Sequence, residues 1–416
     1  MDQNPQPQQE RPPSAFSYKS FRLYWLVRFL NGFATQIVSV AVGWQIYDET
    51  QNAFLLGLVG LVQFAPAIVF VLVTGTVADR YNRRAVMAIC LALEAFCVIA
   101  LAAYWIQHAG RTQDQGVIWS VFIILTLFGV ARAFLTPSMQ SIFANLVPRE
   151  SFANAVAWNT SAMQASFTIG PAIGGLLYGI HSQVPYAVAF VLFSAATITT
   201  LLIPKPPQKA SSEPRSLETM LAGFKYIRSN PIVLGAISLD MFAVLLGGAT
   251  ALLPVFARDI LEVGPWGLGF LRSAAGVGAL VMVIWLVRNP IPDHAGKVMF
   301  ASVAVYGLAI IMFGLSTTLW ISLPALFIMG AADMVSVNIR ASLIQLATPD
   351  ELRGRVTAVN SVFIGASNEV GEFRAGTMAA LIGAVPAVVI GGVGTLAITG
   401  LWTRLFPALV HKRKLT

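Results

Sequence analysis

Charge is scarce in this sequence. Only 11% of its 416 residues are Asp, Glu, Lys or Arg, against about 25% in soluble domains, and a water-facing surface cannot be covered on that supply. Cysteine is scarcer still: Cys90 and Cys97 are the two in the chain, seven positions apart in one apolar run. Two thiols two helical turns apart lie beyond bridging distance and bring no further ligands, so both read as packing residues. Four histidines, His108, His181, His294 and His411, fall in loops or the tail without ligand spacing. Glycine-rich phosphate loops and nucleophile elbows are missing too. Nothing calls for a cofactor or a metal, no enzyme is expected, and the chain's work is not powered by a bound nucleotide.

Apolar residues are abundant, at 56%, in runs of about 20, the length of a helix crossing a bilayer. Reading the runs between charged or Gly/Pro-rich breaks predicts twelve spans, at residues 22–47, 53–78, 84–106, 117–138, 152–179, 184–203, 231–257, 267–287, 297–316, 319–341, 354–382 and 385–406. The fold class expected is an all-α integral membrane protein. Residues 1–20, rich in Pro and Gln and without the apolar core of a signal peptide, are expected to form a disordered cytoplasmic tail. Residues 21–203 and 231–406 then hold six spans each, joined by a cytoplasmic linker at 204–230 and followed by a basic tail at 407–416. Within the linker "SLETMLAGFKYI" reads as an amphipathic helix on the membrane surface, with Ser216 as its N-cap.

Orientation follows from the 27 Lys and Arg. With both termini in the cytoplasm, five fall within spans, Arg111 and Arg258 fall outside, and the other twenty lie on the cytoplasmic side. The net charge of +8 therefore faces anionic lipid headgroups and needs no nucleic acid. A shift of 201 residues aligns Pro148, Glu150, Asn159, Gly170 and Gly175 with Pro349, Glu351, Asn360, Gly371 and Gly376, and superimposes spans 4 and 5 on 10 and 11. Two similar halves are the pattern of a transporter that rocks one half against the other.

The stretch "GTVADRYNRR", Gly75 to Arg84, packs one acid and three arginines between two apolar runs. Headgroup anchoring accounts for Arg80, Arg83 and Arg84 but leaves Asp79 without a purpose. A donor is available in "TPDELR", which reads as a capping box with Thr348 as the cap. Either the positive end of the eleventh helix or Arg355 is the expected partner of Asp79.

This stretch resembles the G-x-x-x-D-R-x-x-R-R motif of the major facilitator superfamily, placed between helices 2 and 3 as that family has it. "SFTIGPAIGG", Ser166 to Gly175, is similar to the Gly-Pro motif of the superfamily's antiporters. "FRLYWLVRFLNGFATQ", "LDMFAVLLGGATALLPVFARDIL" and "SNEVGEFRAG" look like the branch of the bacterial enterobactin exporter and the transmembrane secretion effectors. The resemblance implies the major facilitator fold, with twelve transmembrane helices in two pseudo-symmetric six-helix bundles. It also implies that Gly75, Asp79, Arg80, Arg83, Arg84 and Arg355 form a cytoplasmic gate, latched while the transporter faces outward. Gly170, Pro171, Gly174 and Gly175 are expected to bend and pack helix 5.

Ionisable residues inside a membrane usually face a cavity or a partner. Helices 1, 4, 7 and 10 line the central cavity in the superfamily, which makes Arg28, Arg132, Asp240 and Asp333 cavity candidates. Asp240, roughly 14 Å into span 7, is the first choice for proton coupling; a permanently paired acid is the alternative. Glu94 and Glu369 lie comparably deep, and Glu369 and Glu372 share one face of helix 11, where they suit a proton site or an interface equally. The function expected is secondary active transport: proton-coupled export, by alternating access, of a small hydrophobic or siderophore-like molecule. Uptake or facilitated diffusion of a small solute, or a non-transporting sensor, are the alternatives. The partners expected are a small-molecule substrate, protons and membrane lipids, with a monomer in a bacterial inner membrane.

Overall fold

The computed structural model describes residues 13–108, 115–143, 145–204, 217–289 and 294–412. Most of the expected N-terminal tail, the first half of the linker with Ser216, and residues 413–416 lie outside them, as does the side chain of Asp79. Among the described residues all regular structure is helical. Span 1 is Lys19–Thr50, and span 2 runs as Ala53–Val69 and then Val71–Arg80. Spans 3 to 6 are Arg83–Gln107, Gln115–Phe143, Phe152–Ile180 and Val184–Leu202. Span 7 is Pro231–Ile260, and spans 8 to 12 are Gly264–Arg288, Ala295–Gly314, Leu319–Ala347, Asp350–Ile382 and Ala384–Leu405. The linker's amphipathic helix forms over Leu217–Ser229 and packs on span 11.

Local chemistry sets several of these starts. Asn52, Asn82 and Asn230 each accept from backbone N–H groups in the first turn of spans 2, 3 and 7, at 2.9 to 3.4 Å. The capping box expected at span 11 does not form: its helix starts at Asp350, after Pro349, and the buried Thr348 hydroxyl has no hydrogen-bond partner. Two spans are also less regular than their apolar runs predict. Span 2 turns at Phe70, and span 7 breaks at Gly248, its helix Pro231–Gly247 giving way to short turns and a wide helical turn at Phe256–Ile260.

Nine of the described helices are long and apolar enough to cross a membrane on composition alone. Spans 5 and 11 are not among them, and span 2 counts only as the shorter apolar helix Ala53–Val69. These are also the spans through which the halves meet. Span 5 packs on span 8 and span 2 on span 11, while within the halves spans 1, 2 and 3 pair with 5, 4 and 6 just as 7, 8 and 9 pair with 11, 10 and 12. The duplication in the sequence is therefore a duplication of packing. Gly175 and Gly376, related by the 201-residue shift, occupy matching crossings. A Cβ on Gly175 would meet the Gly269 Cα at 2.9 Å, and one on Gly376 would meet the Gly57 Cα at 2.7 Å. Glycine is what lets the two backbones touch there.

Both described chain ends lie on one face: Ala15 bonds Asn154 at the start of span 5, and Lys412 bonds Gly296 at the start of span 9. The glycine crossings lie towards the opposite, far face, where they hold the two halves in contact. Towards the terminal face, residues of spans 5 and 8 such as Trp158, Met163, Val281 and Trp285 are exposed.

Candidate functional site

The arginines of "GTVADRYNRR" do something more specific than anchor to headgroups. The Arg83 side chain is buried; its Nε donates to the Ala78 carbonyl at 3.0 Å and its Nη1 to that of Ser141, also at 3.0 Å. Arg84 donates to Leu201 and Ile203 at 3.2 and 2.9 Å. Each guanidinium thus satisfies carbonyls that the ends of spans 2, 4 and 6 leave without intrahelical partners. Arg80 is exposed, and Gly75 is buried within the second helix of span 2. Arg355 lies one turn into span 11, where its carbonyl crowds Gly223 of the linker helix. The other expected packing residues act on two neighbours: Gly170 and Gly174 face Gln36 and Ile37 of span 1, whereas Gly175 faces span 8. Helix 5 runs unbroken through Pro171.

Of the charges within spans, Asp240 is already paired. It is buried and forms an ion pair with Arg340 of span 10. Beside that pair, Asp333 shares a small cavity with Tyr306 and Ser336. Glu372 accepts from the Thr250 hydroxyl at 3.0 Å, next to the break in span 7. Its nearest cation is Arg272 of span 8, which also donates to Ser39 of span 1 at 2.8 Å. Glu369, one turn earlier, presses its carboxylate against Gly60 of span 2. Arg374, on the same helix, reaches the carbonyls of Leu245 and Leu246, which the break at Gly248 frees. The motif "SNEVGEFRAG" therefore braces a broken helix and presents two carboxylates to the other half.

In the N-terminal half, Glu94 is fully buried and neither carboxylate oxygen has a hydrogen-bond partner. Arg132 is exposed on span 4, and its charge is felt at both Glu94 and Glu369. Arg28 is half-buried against the Met163 sulfur at 3.3 Å and the Met139 sulfur at 4.0 Å. On the far face a cluster joins the end of span 1 to the end of span 7. Asp48 pairs with Arg258 at 2.9 Å, and the Tyr47 hydroxyl donates to Asp259. Sequence reasoning set Arg258 aside as an outside charge and did not pair it, because its partner lies 210 positions away in the other half.

The geometry agrees with a sequence comparison. The family model described as Major Facilitator Superfamily matches residues 24–372. The chain belongs to the major facilitator superfamily. This makes it a multi-pass membrane transporter, not an enzyme. Among curated relatives, the enterobactin exporter of Shigella boydii serotype 4 is 25% identical over 389 residues, covering 92% of this chain and 90% of that protein. That of Escherichia coli K12 is 24% identical over 405 residues, 96% and 94% of the two chains. Solved superfamily structures superpose along nearly the full length. A D-xylose–proton symporter gives a TM-score of 0.73 at 14% identity, covering 94% of this chain and 98% of its own. An inward-facing bacterial homologue of the iron transporter ferroportin gives 0.71 at 16%, covering 95% and 99%.

Proposed function

We propose that this superfamily member is a secondary active exporter, working as a monomer in a bacterial inner membrane with both termini cytoplasmic. It exchanges protons for a small hydrophobic or siderophore-like molecule. The face that carries both described chain ends is then the cytoplasmic one. The observation carrying the reading is the placing of Glu369 and Glu372 where the halves meet. Glu369 leans on span 2, and Glu372 is held by Thr250 at the break of span 7 beside Arg272 of span 8. Opening the far face separates span 2 from span 11 and span 5 from span 8. The neutralisation of two adjacent carboxylates in a low-dielectric site is thereby tied to the rocking of the halves. Asp240 is held in a buried ion pair with Arg340, whereas among the described residues Glu369 and Glu372 form none, so the coupling role passes to these two. The far-face cluster around Asp48 and Arg258 closes the exit, and Gly75, Asp79, Arg80, Arg83, Arg84 and Arg355 close the cytoplasmic side in the opposite state.

The full-length likeness to proteins named as enterobactin exporters supports outward transport. The test is uptake into inverted membrane vesicles, with catecholate siderophores and dyes as substrates. Accumulation should depend on an imposed proton gradient and be lost in Glu369→Gln or Glu372→Gln, while Asp240→Asn in a folded preparation retains part of it. Accumulation unaffected by collapsing the gradient would overturn proton coupling.

A further inference from the structure

Five arginines sit well inside the spans, away from their ends, and the structure occupies three of them. Arg340 pairs with Asp240, Arg272 bonds Ser39 beside Glu372, and Arg374 holds the carbonyls of Leu245 and Leu246. Arg28 and Arg132 are left over. Among the described residues neither forms an ion pair, and the hydrogen-bond partners of Arg28 are two thioether sulfurs, which are weak acceptors. A guanidinium within a membrane carries a cost, and that cost is normally offset by a partner or a ligand.

The two lie together. Arg28 is nine residues into span 1, roughly 14 Å, and Arg132 is eleven residues from the terminal end of span 4, roughly 17 Å, so their depths match. Met139, which Arg28 touches, is two turns along span 4 from Arg132 on the same helix face, placing the two cations on the order of 10 Å apart. Arg132 is exposed on span 4 and close enough to Glu94 and Glu369 for its charge to be felt at both. Glu369, which leans on span 2, and Asp333, in its small cavity with Tyr306 and Ser336, belong to the C-terminal half. Glu94, an acid deep within the N-terminal half, is fully buried. The N-terminal half thus brings these two cations, without ion pairs among the described residues, and the C-terminal half brings Glu369 and Glu372 to the seam.

We propose that Arg28 and Arg132 form the substrate's anion site, so that the transported molecule is an organic anion with an apolar body, its acidic groups held on the N-terminal half and protons handled on the C-terminal half. This rests on the export reading and narrows it to a charge class. The thioethers of Met139 and Met163 give the apolar body adaptable, polarisable contacts. Two arginines a short molecule's length apart suit separated acidic groups better than a single one, and each acts as a planar donor fork for carboxylate or phenolate oxygens.

Equilibrium dialysis on the full chain in nanodiscs tests this with three probes of one shape: 2-naphthoate, its neutral amide and 2-naphthylmethylammonium. The naphthoate should bind at least about tenfold tighter than the amide, as a charge-assisted bond predicts. Its binding should weaken as salt is raised, and its advantage should vanish in Arg28→Gln and Arg132→Gln but persist in part in Arg28→Lys and Arg132→Lys. If a Gln variant does not fold, the Lys variants and the salt dependence of the unaltered protein decide. Equal binding of acid and amide, preference for the ammonium probe, or no binding of any of the three would each overturn the anion site. Proton-dependent vesicle accumulation is independent of these outcomes, so the export reading stands or falls separately.

Discussion

At the residue scale, the arginines at the start of span 3 act as caps for other helices. Arg83 joins the carbonyl ends of spans 2 and 4, and Arg84 joins that of span 6, so one short charged stretch ties three helix ends to the start of a fourth. Arg83→Ala should cost about 3 kcal/mol, since it removes two charge-assisted bonds and leaves buried carbonyls unmet. A fall in the detergent unfolding midpoint measures this, with Arg83→Lys recovering part of the loss. The basic cluster was legible in the sequence, but its partners were not. Apart from Ala78, five positions before Arg83, they are backbone oxygens 58 and 117 or more positions away, and a carbonyl carries no side-chain signature. Arg272 and Arg340 illustrate the same limit: each stood out as a charge in an apolar run, yet the serine and the aspartate that occupy them come from other helices.

Among elements, spans 5 and 11 are the least apolar crossings and the ones that join the halves. The sequence repeat singled them out, and Gly175 and Gly376 show why: each admits a partner backbone at a distance no side chain tolerates. Gly175→Leu or Gly376→Leu should wedge the far-face crossing apart. The expected result is faster labelling of a cysteine introduced at Gln51, read with a membrane-impermeant maleimide; unchanged labelling with normal folding would show that the crossing yields. The chain's own thiols, Cys90 and Cys97, are both buried and lend themselves to that background. The break in span 7 was not legible. "LLGGATALLP" is as apolar as the helix before it, and periodicity cannot tell a turn braced by Arg374 from a continued helix.

For the molecule as a whole, the balance between the two facing states rests on weak contacts. The Asp48–Arg258 side chains are 41% and 26% exposed, so the pair contributes about 1 kcal/mol at most, a population shift of about fivefold. Arg258→Ala should raise far-face accessibility of a reporter cysteine by that order without unfolding the protein, and high salt should mimic it in part. Such a contact can be made and broken in every cycle, whereas the buried Asp240–Arg340 pair cannot be parted cheaply. Asp240→Asn alone is therefore expected to destabilise, and Asp240→Asn with Arg340→Leu to recover stability, as thermal unfolding of both would show.

The polarity of spans 5 and 11 reaches back to how the chain is made. A ribosome delivers spans to the membrane in order, and a segment too polar to enter lipid alone must wait for company. Span 5 meets span 8 only after the linker has been synthesised, and span 2 meets span 11 only when residues 350–382 have emerged. Neither half can complete its assembly before the other exists. Two genes, one for each half, should accordingly yield stable protein when expressed together and little when expressed apart.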